Sequence, residues 1–461
     1  MERLSLDGAL ILATTRVFNR PGEPSPASAL TIVGGLSLFQ RTLLTLQRGG
    51  ISRVIVLAGE GAAALKRQLH GDARVTAWVR WLPLSEFPPG DPRTWEVLSG
   101  MFGGPYLVAG TGAVFPASLV ARLREEGGKG EPVVVTRGAV LRQAQHERLR
   151  EGEGQATPAA LSQSQGATAG VVTVEEAAVL ALDVDLAAIP PSFTSPGWAG
   201  AQDGAYPLQA AIEREVRHGQ VRILPLGADW YQDVCAEGAA TPEQAEWTLL
   251  RSLKGGLEGF VDRHFNRTCS TWITSALLQT PLTPNGVTVL ATLVGFLAAA
   301  AFAMGSYTAG VVGALLFQLS AILDCCDGEV ARLKFLESPF GEQLDVALDN
   351  VVHIGLYAGM AWAASQSGWG AFAWLLGGLA TLGNLVAFVV VQKATRMKAD
   401  LPSGPRHRVE SLLNRLVSRD FSVLILVLAL LGHVEWFLAL AAVGSNIFWP
   451  VLAWQLRPAS R

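Results

Sequence analysis

Two regimes of hydrophobic patterning divide the chain. Up to about residue 240, short apolar runs alternate with stretches of helical period. Gly8–Ala13, Arg53–Ala58, Val75–Leu82, Tyr106–Ala109 and Pro132–Thr136 are strand-like, and Leu36–Gln47 is helix-like. Strands separated by helices predict a parallel α/β sheet. Glu151–Gly170 is poor in bulky apolar residues and reads as a loop or insertion. Strand-like Val171–Val174, a helix at Pro207–Arg217 and strand-like Val221–Pro225 then resume the pattern. After Pro284 the runs lengthen to the roughly 20 residues that cross a bilayer. Six spans are predicted: Gly286–Ala303, Ala309–Ala331, Leu344–Ala364, Ala371–Val391, Phe421–Leu431 and Trp436–Trp454. The fifth is short, so its helix is expected to begin nearer Leu412. Between the regimes, Glu258–Arg267 mixes apolar and basic positions, and Trp272, Ile273, Leu277 and Leu278 follow. That mixture predicts a helix lying along the membrane surface; an ordinary interdomain helix is the other reading.

The expected organisation is an α/β domain over residues 1–240, a linker with juxtamembrane helices over 241–283, and a six-helix membrane domain over 284–461. Composition agrees with a membrane half. Of 461 residues only 16% are charged and 50% are hydrophobic, and the mean hydropathy is +0.31. The net charge of −3 matters less than its placement. Neither Lys nor Arg occurs from Asn285 to Ala331, nor in the short connections near Gly305–Thr308, Ser365–Gly368 and Gly432–Glu435. Lys393, Arg396, Lys398, Arg406, Arg408, Arg415 and Arg419 instead gather between spans four and five. The excess of Lys and Arg in cytoplasmic loops puts that segment, the amino-terminal half and the carboxy terminus in the cytoplasm. The four cysteines show no zinc or disulfide spacing.

Within this apolar half stand Asp324, Asp327, Asp345 and Asp349. An Asp at the centre of a membrane helix costs about 2.5–3.5 kcal/mol, so each needs a compensating partner. Asp324 and Asp327 are i,i+3; Gly341, Asp345 and Asp349 are i,i+4,i+8, so each set shares a helix face. Two facing helices would aim four carboxylates at one point, which suits Mg²⁺ or Mn²⁺ shared with substrate phosphates. Gly328 and Gly341 leave room for a ligand to approach the backbone. Helix capping in a cytosolic loop would not need this spacing.

The stretch Asp324-x2-Asp327-Gly328-x2-Ala331-Arg332-x8-Gly341-x3-Asp345-x3-Asp349 resembles the complete signature of the CDP-alcohol phosphotransferase family. The resemblance implies an integral-membrane enzyme that moves a phospho-alcohol group from a CDP-alcohol, such as CDP-diacylglycerol or CDP-inositol, to an acceptor hydroxyl and releases CMP. It implies two divalent ions held by Asp324, Asp327, Asp345 and Asp349, with Asp349 as general base. Asp327, Gly328, Ala331, Arg332 and Gly341 would contact the cytidine and its phosphates. Arg332 reads alternatively as a snorkelling residue at a helix end. Pro284-Asn285 opens the first span as the family often does, near the CDP moiety, and places Asn285 with the donor. The active site is then expected on the cytoplasmic side of the cytoplasmic membrane.

The first half resembles a sugar-nucleotidyltransferase-like domain through Leu10-Ile-Leu-Ala13 with Arg16, Ile32-Val-Gly-Gly35-Leu-Ser-Leu38, Gly49–Val56, and Trp230-Tyr-Gln-Asp233-Val with Thr241-Pro-Glu243. Its departures are chemical. Thr14–Phe18 stands where a Gly-rich loop would cradle a triphosphate, Gly110-Thr111 stands where the family has Gly-Asp, and the lysine after the first loop is absent. The expectation is an inactive domain that docks a partner, binds a ligand without chemistry, or braces the membrane half. The fused layout is similar to bifunctional inositol-phosphate cytidylyltransferase/di-inositol-phosphate-phosphate synthases.

For the acceptor, Arg419 just before span five and Arg396, Lys398 and Arg408 in the same segment could hold a phosphate. The resemblance implies a phosphorylated polyol, since family members that use inositol phosphate hold it with basic residues near this point; a loop made basic only to fix topology stays open beside it. Expected partners are the CDP-alcohol, the acceptor, membrane lipid and a second copy of the chain, with no nucleic acid. The rival reading is a non-catalytic membrane scaffold whose soluble domain binds a nucleotide or partner.

Overall fold

The computed structural model describes residues 6–13, 29–59, 61–88, 91–127, 133–136, 186–189, 222–225, 229–234, 240–253, 266–397 and 421–455. The chain divides into two compact units, Met1–Thr248 and Leu249–Arg461.

The first unit is built on a seven-stranded sheet. Its strands are β1 (Gly8–Leu12), β4 (Arg53–Ala58), β5 (Trp78–Pro83), β6 (Tyr106–Gly110), β8 (Val133–Thr136), β9 (Leu186–Ile189) and β10 (Arg222–Pro225), in the order β10-β8-β9-β6-β1-β4-β5. β1 lies between β4 and β6, parallel to both, and all five of its residues are buried. A strand covered on both faces reads as a continuous apolar run rather than an alternating one, which is why GALIL is visible in the sequence. Helices α1 (Leu38–Arg48), α2 (Ala62–Leu69), α3 (Pro92–Phe102) and α4 (Ala117–Gly127) accompany the strands. Phe39, Leu43, Leu46, Leu119, Val120 and Leu123 pack α1 and α4 into the core beside Ile11 and Val54.

The all-parallel expectation needs correction. β9 runs antiparallel to both β6 and β8, so the sheet is mixed. Its four residues, LAAI, are too few and too small to show a period. The helix expected from Leu36 begins at Leu38, because Leu36–Ser37 is strand β3, paired with β2 (Ile32–Val33), and Ser37 caps α1 by accepting from Gln40 N. Glu151–Gly170, Val171–Val174 and Pro207–Arg217 lie outside the described residues. A further short pair joins β7 (Ala113–Val114) to β11 (Gln232–Asp233), antiparallel, with Asp233 opposite Ala113. This register brings Asp233 beside the turn that carries Thr111. Helix α5 (Pro242–Ser252) follows.

The second unit is helical: α6 (Arg267–Leu278), α7 (Pro284–Ala303), α8 (Tyr307–Leu333), α9 (Pro339–Ala364), α10 (Ala371–Met397), α11 (Phe421–Leu430) and α12 (Val434–Gln455). Three consecutive starts share one device. Thr283, Ser306 and Ser338 each accept a hydrogen bond from the backbone N–H three residues on, and Pro284 and Pro339 occupy first positions of α7 and α9. Among the described residues, four helices are long and apolar enough to cross a membrane: Pro284–Ala303, Tyr307–Leu333, Ala371–Ala394 and Val434–Trp454. α9 has the length but carries Glu342, Asp345 and Asp349, and the described part of α11 is only 10 residues long. Its expected start near Leu412 lies outside the described residues.

Outward surfaces of these helices are apolar. On α7, Val289, Leu290, Leu293, Phe296 and Leu297 are all exposed, an area too large for an aqueous face. Inward surfaces use small residues, so that helices approach closely as membrane helices do. A Cβ built on Gly295 would lie 2.6 Å from Val352 Cγ1, and one on Gly359 would lie 2.4 Å from the backbone oxygen of Ala299. α7 and α9 therefore touch backbone to side-chain-free backbone, which fixes the distance from which α9 presents its aspartates. A Gly359→Val substitution is expected to force these helices apart and to cost about 1–3 kcal/mol. A thermal melt of the detergent-solubilised protein checks it, and an unchanged melting temperature would contradict this packing.

Candidate active site

The aspartates occupy the carboxy-terminal turns of α8 and the amino-terminal turns of α9. Both helices are apolar enough to be drawn into the bundle, and the polar positions face each other. Asp324, Asp345 and Asp349 form one group: each offers a carboxylate oxygen, and the three lie within 4.8 Å of one another. Three like charges at that separation repel by roughly 3–4 kcal/mol per pair at an effective dielectric near 20. Something positive has to sit among them. Asp345 Oδ1 is buried and accepts no hydrogen bond, so one acceptor of this residue is left for a ligand to satisfy. The donors are hard carboxylate oxygens, which fit Mg²⁺ or Mn²⁺ rather than a soft metal.

Asp327 stands apart from that group. It is buried, and its Oδ2 accepts a hydrogen bond from Thr288 Oγ1 of α7 at 2.6 Å. Of the four carboxylates expected to converge, three lie in this tight group, and Asp327 is bonded to the neighbouring helix beside it. α7 also contributes Asn285. The cap of that helix falls to Thr283, which leaves the Asn285 side chain for other work. A Cβ on Gly341 would come within 3.0 Å of Asn285 Oδ1 and 3.1 Å of Ser338 Oγ, so glycine at 341 keeps α9 close to Asn285. On α8, a Cβ on Gly328 would meet Arg332 Nη1 at 3.2 Å. The Arg332 guanidinium is thus folded back along its own helix over Gly328, not extended away from it. Its Nε is buried without a hydrogen-bond partner. Ala331 lies on the same last turn, partly buried.

Arg396 is on α10, and the position of its side chain is outside the description; Arg419 lies outside the described residues altogether. His353, one turn beyond Asp349, packs among the rings of Phe317, Tyr357 and Phe421.

Sequence reasoning passed over a fifth acid. Glu329 is 2% exposed and receives Arg267 Nη1 at 3.1 Å, Ser270 Oγ at 2.9 Å and Thr274 Oγ1 at 2.6 Å, all from α6. The signal was present, since a carboxylate in an apolar helix needs a partner wherever it stands. α6 accordingly turns its hydroxyl side to α8 and leaves Trp272 exposed. A further polar tie, Asn384 Nδ2 to Asn350 Oδ1 at 3.3 Å, joins α10 to α9 next to Asp349.

Comparison with known proteins adds the following. The family model for CDP-alcohol phosphatidyltransferase matches residues 281–448. A bifunctional IPC transferase and DIPP synthase of Rubrobacter xylanophilus is 30% identical over 355 residues, 74% of this chain and 74% of the relative. The equivalent protein of Aquifex aeolicus is 29% identical over 50% of this chain, and the match spans 51% of its own length. This chain thus aligns with about half the length of that relative. The solved inositol-1-phosphate CTP transferase of T. maritima overlaps 52% of this chain and 94% of its own at 13% identity, with a TM-score of 0.35.

Replacing Asp345 by Asn should weaken Mn²⁺ binding roughly tenfold or more, the scale on which a disturbed ligand environment costs affinity. Electron paramagnetic resonance titration of the purified protein, without nucleotide, measures it. Equal affinities would remove Asp345 from the ligand set.

Proposed function

The chain belongs to the CDP-alcohol phosphatidyltransferase family, and from that premise we propose that it is an integral-membrane transferase moving a phospho-alcohol group from a CDP-alcohol to an acceptor hydroxyl, with release of CMP. The observation that carries this reading is the convergence of Asp324, Asp345 and Asp349 from two apolar helices. Such an array has no structural use that would offset its repulsion, and a nonreactive scaffold would not need it.

Two Mg²⁺ or Mn²⁺ ions held by Asp324, Asp327, Asp345 and Asp349 would supply neutralising charge for the diphosphate and for the entering and leaving oxygens of an in-line displacement. The chain's own groups do the rest. Arg332, folded over Gly328, presents its guanidinium to the diphosphate, where charge-assisted hydrogen bonds orient the donor. Asn285 and the bare backbone at Gly341 border the place for the cytidine, with Ala331 on the facing turn. Asp349 takes the proton of the acceptor hydroxyl. That oxygen bonds to the phosphorus bearing the alcohol, the bond from this phosphorus to the bridging oxygen breaks, and CMP leaves with the bridging oxygen and its electron pair.

For the acceptor we infer a phosphorylated polyol, with inositol phosphate the first to test; Arg396 and Arg419 would hold its phosphate. The names of the relatives and the basic segment between α10 and α11 support this choice. Six crossings, α7 to α12, with both termini and the site on the cytoplasmic side, follow from the placement of Lys and Arg. A homodimer is part of the same reading. The residues up to 240 make a nucleotidyltransferase-like domain without cytidylyltransferase activity, 241–283 the linker and juxtamembrane segment, and 284–461 the transferase. In the first unit Thr111 is buried where a carboxylate would be needed, and Asp233 alone would hold a nucleotide-bound cation poorly.

Purified protein given Mn²⁺, a CDP-alcohol and inositol phosphate should release CMP, and Asp349→Asn should lower the rate by roughly 10²–10⁴-fold, the contribution of a positioned general base. Undiminished turnover by the variant would remove Asp349 from that role. Pyrophosphate release from CTP and inositol phosphate by the full chain is expected to be absent, and its detection would restore activity to the first domain.

A further inference from the structure

Helix α8 is engaged on opposite sides. Asp324 and Asp327 look to α9 and α7. Glu329, two positions past Asp327, lies about 200° further round the helix at 3.6 residues per turn. On that far side it meets α6 through Arg267, Ser270 and Thr274, and its ion pair with Arg267 is almost closed to water, at 2% and 15% side-chain exposure. The tie is longer than one residue. Gln318 Nε2 donates to Asn266 Oδ1, Cys326 Sγ lies 3.7 Å from the backbone oxygen of Ser270, and Lys334 Nζ donates to the backbone oxygen of Thr280. These contacts advance in the same direction along both segments, so α6 with its flanking residues is laid along α8 from Gln318 to the C-cap Lys334.

We propose that Glu329, gripped by Arg267, Ser270 and Thr274, is a positioning residue that sets the rotation of α8 and thereby aims Asp327 and Arg332 at the nucleotide end of the donor. The proposal rests on the phosphotransfer reading. Its physical ground is the directionality of the contact. Apolar packing would hold α6 on α8 at least as well, because a buried ion pair is weak evidence of stability and its best-attested use is to specify register. Side chains reach about 5–6 Å from a helix axis, so a 20° rotation of α8 would move a carboxylate by roughly 2 Å. That shift would take Asp327 off Thr288 and Arg332 off its place over Gly328. Three hydrogen bonds converging on one carboxylate resist such a turn, whereas sliding apolar faces do not.

The test is CMP affinity, measured by calorimetry on the full chain in detergent, together with the kinetics of CMP release. Glu329→Ala should weaken CMP about tenfold or more and raise the KM of the donor by a similar factor, the range seen when groups behind a binding site are lost. The KM of the acceptor should rise less than that of the donor, because Asp345 and Asp349 are on α9 and only Asp324 of their group turns with α8. Glu329→Gln, which keeps an acceptor for the two hydroxyls, should fall between that variant and the parent. Arg267→Ala combined with Glu329→Ala should be no worse than Glu329→Ala alone. Should Glu329→Ala not fold, the pair Ser270→Ala and Thr274→Val, which spares the ion pair, carries the same expectation at smaller size. Unchanged CMP affinity in folded variants, or equal losses for donor and acceptor, would overturn the proposal. Absence of CMP release from the parent protein would instead defeat the phosphotransfer reading, and CMP affinity would still decide the role of Glu329.

Discussion

A carboxylate surrounded by hydrocarbon must find a donor or a cation, and this constraint orders the second unit. Helix α8 buries three acids within six positions, Asp324, Asp327 and Glu329. Each is met differently. Asp324 joins Asp345 and Asp349 of α9, Asp327 takes the hydroxyl of Thr288 on α7, and Glu329 takes the donors of α6. Because the three point in different directions round one helix, satisfying them surrounds α8 with α9, α7 and α6. The packing of the unit and the assembly of its site are in this sense a single event. Where carboxylates gather together, as Asp324, Asp345 and Asp349 do, their summed negative charge calls for a cation.

Small residues make that arrangement reachable. Gly295 and Gly359 let α7, α8 and α9 close to distances that a Cβ would forbid, and side chains as short as Asp can meet only at such distances. Gly328 and Gly341 act at the site itself, one under the Arg332 guanidinium and one against Asn285. The glycines of the signature and those of the helix interfaces therefore serve one end, which is to trade side-chain volume for polar contact.

Much of this was legible before any coordinates. The Asp and Gly positions were identified by spacing, since i,i+3 and i,i+4 positions on a helix share a face whatever surrounds it. β4 was legible because VIVLA after Arg53, like GALIL in β1, is an uninterrupted apolar run. What escaped notice depended on contacts between segments distant in sequence. The antiparallel sense of β9 comes from its pairing with β6 and β8, and LAAI carries no mark of direction. Asp327 could not be separated from its three neighbours, because the hydroxyl that claims it is 39 positions upstream on another helix. Glu329 was hidden by the signature itself. A motif read through its fixed positions treats the residues between them as spacers, although a buried spacer that carries a charge has the same need of a partner as the residues on either side.

The two units also show how differently a fold and its chemistry depend on sequence. In the first, the core around Phe39, Leu43 and Val54 needs only apolar side chains of suitable volume, and it is intact. A cation bridging phosphates needs particular oxygens at particular places, and the turn leading into β7 carries Thr111, a hydroxyl and not a carboxylate. The second unit sits at the other extreme. Its acids are costly to bury and gain nothing for stability unless partnered, so the array of α8 and α9 is a demand for a ligand that apolar packing alone would never create.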